Sequence, residues 1–185
     1  MFKSLSLVAA MFAVVSFATF CFAQGGKPND MSELHSGFRG IKWGSSISDV
    51  QAGGIQFGTF DAVGKAINVP VTAGTPLNVN NIPVKMSFTF IDKKFSGVVI
   101  VPADVNKTQD VTSFFIRQFG QPVFSAPQKQ MHAWQDSKVT ITVQVANNAV
   151  AFIVMSNANF KAAGLKVDDY VKMGADAAKP KPGGI

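Results

Sequence analysis

Val84-Lys85-Met86-Ser87-Phe88-Thr89-Phe90 alternates apolar and polar side chains without a break. A strand repeats every two residues, so Val84, Met86, Phe88 and Phe90 share a face turned to a core while Lys85, Ser87 and Thr89 face water. Asp92-Lys93-Lys94 supplies a turn, and Phe95 to Val101 returns rich in β-branched residues. The stretch predicts a β-hairpin.

Helix signals stand on either side of it. Upstream, Ser46-Ile47-Ser48-Asp49 has the spacing of a capping box, Val50 continues the apolar face, and Gly53-Gly54 stops a short helix. Downstream, Asn106 is read as an N-cap with Gln109 as its partner. Val111, Phe114, Phe115 and Phe119 then fall at helical spacing until Gly120 and Pro122 end the run. Three more strands follow at Met131 to Trp134, Val139 to Val145 and Val150 to Met155, with Thr140, Thr142 and Gln144 marking a polar face. Between Gln56 and Asn81, Pro70, Gly74, Pro76 and the Asn78 to Asn81 stretch interrupt every period, so short strands in irregular loop are expected there. The order predicts an α+β domain, an antiparallel sheet with short helices packed on one face, and it suggests the same helix-then-strands unit twice.

The ends read differently. Lys3, an apolar run from Leu5 to Phe20, and Cys21-Phe22-Ala23 before Gln24 have the form of a secretory signal peptide over residues 1–23. Ser6, Ser16 and Thr19 make the run too short and too polar for a membrane anchor. Phe20 before Cys21 disfavours a lipoprotein. Residues 24–37 are read as a flexible lead-in, 38–157 as the globular domain, 158–173 as an extra helix, and 174–185, with Lys179-Pro180-Lys181-Pro182, as a disordered tail. Cleavage after Ala23 removes the one cysteine, leaving roughly 160 residues that must rely on an ordinary core. A periplasmic or secreted location is expected.

The net charge of +6 becomes +5 once Lys3 is lost, and such a balance suits contact with anionic membrane surfaces. Most lysines stand singly, however, and Arg39 and Arg117 are the only arginines, so nucleic acid is not expected as a partner. His35 and His132 each have one carboxylate near in sequence, Glu33 and Asp136, in segments read as lead-in and turn. Neither makes a metal site alone, no G-x-S-x-G elbow is present, and Glu33 is the sole glutamate. No catalytic residue, metal or cofactor is expected. Arg39 and Lys42 flank Trp43, which leaves two readings: an exposed recognition patch of Arg39, Lys42 and Trp43, or a tryptophan plugging the core with Arg39 over it.

Several of these residues form familiar strings. Phe38-Arg39-Gly40-Ile41-Lys42-Trp43-Gly44, then Phe88-Thr89-Phe90 and Phe95, then Phe119-Gly120-Gln121-Pro122 and Trp134, resemble a family of exported bacterial proteins of uncharacterised function. Its members open on F-R-G-I-x-W-G and end a helix in Y-G-x-P. The likeness runs from Phe38 to Asn157; Phe88 and Phe119 stand where tyrosine is usual, and the chain departs from the pattern at Ala158. A looser similarity joins outer-membrane assembly lipoproteins and β-lactamase-inhibitor-like modules. These resemblances imply a helix-on-sheet fold and a habit of binding proteins, and they carry no catalytic residue across. The expected function is therefore a non-enzymatic exported module that binds an envelope protein. The alternatives are a carrier of a small apolar ligand, needing a cavity of about 300 Å³, or a hydrolase with a dispersed site.

Overall fold

The computed structural model describes residues 30–60, 65–126, 131–146 and 149–164. The elements run β1 (Gly37–Phe38), β2 (Ile41–Lys42), α1 (Ile47–Ala52), β3 (Gln56–Phe57), β4 (Ala66–Ala73), β5 (Asn78–Val79), β6 (Ile82–Ile91) and β7 (Lys94–Pro102). They continue as α2 (Thr108–Phe119), β8 (Phe124–Ala126), β9 (Met131–Gln135), β10 (Val139–Ala146), β11 (Ala149–Ser156) and α3 (Asn157–Ala162). Among the described residues β1 and β2 pair with each other, and the other strands form one nine-stranded antiparallel sheet in the order β3-β4-β6-β7-β11-β10-β9-β8, with β5 against β6. The fold is α+β.

That order is palindromic by role. A helix followed by an edge strand and three longer strands occurs first as α1 with β3, β4, β6 and β7, then as α2 with β8, β9, β10 and β11, and the last strands of the two units lie side by side. In β7, Ser96 is a bulge, because Gly97 pairs with Thr89 and Phe95 with Phe90. Beyond it Val98, Val99 and Ile100 correspond to Phe152, Ile153 and Val154, and the register Val98↔Val154, Val99↔Ile153, Ile100↔Phe152 is unchanged when the two strands are exchanged. A pseudo-two-fold axis therefore passes through the pair Val99↔Ile153. The duplication lies in topology and face pattern, with no matching run of residues.

The predicted face alternation holds. Met86, Phe88, Phe90, Ile100, Ile141 and Phe152 belong to one core cluster, which Val50 of α1 and Val111, Phe115 and Phe119 of α2 close from above. Three residues of α2 spaced by four form a stripe along one side of a helix, which lets a 12-residue segment cover the sheet. α1 has the expected capping box: the Asp49 amide donates to Ser46 Oγ at 3.1 Å and the Ser46 amide to Asp49 Oδ2 at 3.2 Å. The start of α2 differs from expectation. Asp104 caps a 3₁₀ turn, Val105–Lys107, by accepting from the Asn106 amide at 2.9 Å, and the α-helix begins only at Thr108, with no side-chain cap.

Two further segments differ from the sequence reading. β4 is an eight-residue strand despite Pro70. The Pro70 carbonyl accepts from the Gly58 amide at 2.8 Å, on the side of the two-residue β3, and a strand residue turns its nitrogen and its carbonyl to the same side, so proline removes no bond to β6. The flexible lead-in proposed for 24–37 does not hold over residues 30–37. Met31 and Leu34 are buried in the core, and the Trp43 Nε1–H donates to the Leu34 carbonyl at 2.7 Å. Their apolar side chains tie this strap down where polar neighbours suggested a loop. Of the segment 158–173, where an extra helix is expected, the described residues hold the end of the six-residue α3, which stops at Ala162 and lies against the sheet's second face, where Phe160 and Ala163 meet Ile91, Val99, Ile153 and Met155. Residues 165–173, the tail at 174–185 and the signal peptide at 1–23 lie outside the described residues.

Candidate functional site

The structure does not join Arg39, Lys42 and Trp43 into one exposed patch. Arg39-Gly40 is the turn of the β1–β2 hairpin, both residues at positive φ. Gly37 opens the hairpin because a Cβ there would collide with the Ile41 carbonyl. The Arg39 guanidinium lies 5.4 Å from the Phe38 ring and donates to the carbonyls of Pro76 and Asn78, clamping the loop between β4 and β5. Burial holds its pKa below the ordinary arginine value. Trp43 stacks on Phe95 at 4.9 Å and joins the core, so of its two readings the structure favours the plug. Lys42 alone is exposed.

The histidines take partners that sequence proximity did not suggest. His35 Nε2 lies 2.6 Å from Asp136 Oδ2, a contact 101 residues apart in the chain, while Glu33 accepts from Gln118 at 3.1 Å. His132 Nδ1 lies 3.0 Å from Ser125 Oγ across the β8–β9 pair. The Ser–His and His–Asp contacts involve different histidines, and His132 and Asp136 are four residues apart along an extended chain, about 13 Å. They are two separate links, the first joining β8 to β9 and the second joining the N-terminal strap to the β9–β10 turn. Among the described residues no three His, Cys, Asp or Glu side chains gather to hold a metal ion.

Burial alone would raise the Asp136 pKa, but hydrogen bonds from His35 and from the Val139 and Lys138 amides outweigh it and hold the carboxyl below its ordinary 3.8. A depressed carboxylate stabilises the fold above its unfolded pKa, and that contribution is lost as pH falls through the folded value. Stability should therefore drop as pH falls below about 4. His35→Ala should lessen the drop by letting the Asp136 pKa rise; denaturation midpoints from pH 3 to 7 check this.

Two features remain that offer contact. Below α2, a cleft lined by Leu34, Phe38, Phe114, Phe115 and Phe119 holds about 30 Å³ of free volume, room for a water and far short of the volume a carrier needs. At the far edge of the sheet, β8 pairs among the described residues on one side only, with β9. Val123 and Phe124 there are 63% and 54% exposed. Pro122 and Pro127 bracket this three-residue strand, and proline beside a short strand is a mark of a sheet edge. That signal was present in the sequence, though the strand itself is too short to show a period. In comparisons with protein-family models, curated proteins and solved structures, nothing matches this chain.

Proposed function

We propose that the chain is an exported, non-catalytic module of the bacterial envelope, periplasmic or secreted, that works by binding another protein as an assembly factor, an inhibitor or an accessory subunit. The observation that carries this reading is the β8 edge. Its outer side has no partner strand among the described residues, and Val123 and Phe124 stand more than half exposed beside it. An extended segment of a partner adds to such an edge through main-chain hydrogen bonds, and the exposed side chains supply apolar contact and choice of partner. The signal-like leader supports export, and the resemblance to exported bacterial proteins and inhibitor-like modules points the same way. His35 and His132 are read as structural, since each ties one segment to another.

Phe124→Lys tests this. The side chain is exposed, so the fold tolerates the change, while a charge at an edge strand blocks strand addition. The variant should melt like the parent yet reproduce the phenotype of deleting the protein. His35→Ala combined with His132→Ala should retain the parent's behaviour. A folded double-histidine variant that behaves like the deletion, beside a fully functional Phe124→Lys, overturns the reading in favour of histidine chemistry.

A further inference from the structure

Alternation along the last strands fixes which main-chain groups β8 turns outward. In the β9–β10 turn the Asp136 amide donates to the Val139 carbonyl at 3.0 Å, and the Asn157 amide, just past β11, donates to the Lys138 carbonyl at 2.9 Å. Val139 thus faces β9 and Lys138 faces β11. Each strand residue turns its amide and carbonyl to one side and the next residue to the other, so His132 and Trp134 bond toward β10 while Met131 and Ala133 bond toward β8. Ala133 is paired with Phe124 and Met131 with Ala126. Phe124 and Ala126 therefore bond inward, and the amide and carbonyl of Ser125 point away from the sheet. Among the described residues no strand takes them.

The side chains alternate at the same place. Ser125 stands opposite His132 with its Oγ 3.0 Å from Nδ1, and His132 shares a face with Trp134, whose ring lies 6.1 Å away. Phe124, 54% exposed, lies on the other face. An antiparallel strand laid along this edge would pair one residue with Ser125, its side chain beside the hydroxyl, and set that residue's two neighbours on the face of Phe124. In one tautomer of His132 the Nδ1–H donates to the serine oxygen, which leaves the hydroxyl hydrogen for an outside acceptor. A carboxylate only accepts, and β8 and β9 carry no Asp or Glu to repel it on a chain of net charge +6. We infer, resting on β8 as the docking edge, that it takes an extended segment of its partner with an aspartate or glutamate opposite Ser125 and apolar residues on either side of it, against Phe124. His132 strengthens the donor without being required for it, since the hydroxyl remains when the imidazole is removed.

Two blocked heptapeptides test this against the purified protein by amide NMR, one with a central glutamate and one with a central lysine, each flanked by valine and then alternating with threonine. The glutamate peptide should slow water exchange of the Ser125 amide and leave that of Phe124, already bonded to β9, unchanged. Followed at the amide of position 125, it should bind about threefold to fivefold tighter than the lysine peptide, the effect of one favourable cross-strand pair. Ser125→Ala should erase most of that difference, while Ser125→Thr and His132→Ala should keep most of it. New protection at Phe124 in place of Ser125, equal or tighter binding of the lysine peptide, or no binding of either peptide overturns the inference. Photo-crosslinking from position 124 in intact cells separates such a failure from that of the edge itself: an adduct with an envelope protein leaves β8 as the docking edge and the segment's chemistry wrong, whereas no adduct removes both.

Discussion

Phe115→Ala should destabilise the protein by roughly 3 to 5 kcal/mol, the range for emptying a buried phenylalanine site. Phe115 is 4% exposed at the middle of the α2 stripe. Its ring stacks on Phe152 at 5.0 Å, lies 5.7 Å from Phe119 and 6.1 Å from Trp134. It thus joins the helix to β11 and β9 in the second unit, and truncation leaves a space between rigid strands and a helix anchored at both ends, which collapse can fill only in part. The readout is the urea midpoint. An unchanged midpoint means that α2 does not present this face to the sheet.

Phe95→Ala should cost a similar 3 to 5 kcal/mol through the first unit. Phe95 is fully buried, 4.8 Å from Phe88, 5.8 Å from Phe90 and stacked on Trp43. Its backbone also joins separate parts of the chain: the amide donates to the Ser45 carbonyl, and its carbonyl accepts from Gly44 and from the Asn159 side chain. Removing the ring exposes Trp43 to water while Trp134, in the other aromatic group, keeps its surroundings. With Trp134→Phe as background, the native-state emission of Trp43 should shift to the red alongside the loss of stability. Loss of stability with unchanged emission would place the damage elsewhere.

These two phenylalanines show how far local pattern reaches. The hairpin of β6 and β7, the Ser46 cap, the stripe of α2 and the strands β9 to β11 each follow from periods of two or about four within a single segment, so they could be read directly. Pro70 hid β4, because whether a missing amide matters depends on which neighbour that side of the strand faces. The sequence shows one carboxylate near each histidine and names no partner for either, because the partner of His35 lies a hundred residues away and nothing local encodes a contact of that range. The same limit applied to Trp43. Its sequence leaves a surface patch and a core plug both open, and the groups that decide between them, Phe95 and the Leu34 carbonyl, come from β7 and the strap. The β8 edge was overlooked because three residues carry no period, although the flanking prolines marked it.

The central claim, that an exported chain offers its β8 edge to another protein, is tested most directly by a photo-crosslinking residue at position 124, activated in intact cells. The account predicts one discrete adduct with a different envelope protein, absent without light and lost when Val123→Asp is added. Illumination that yields no adduct from position 124, with the protein folded, exported and present at its normal level, would contradict it.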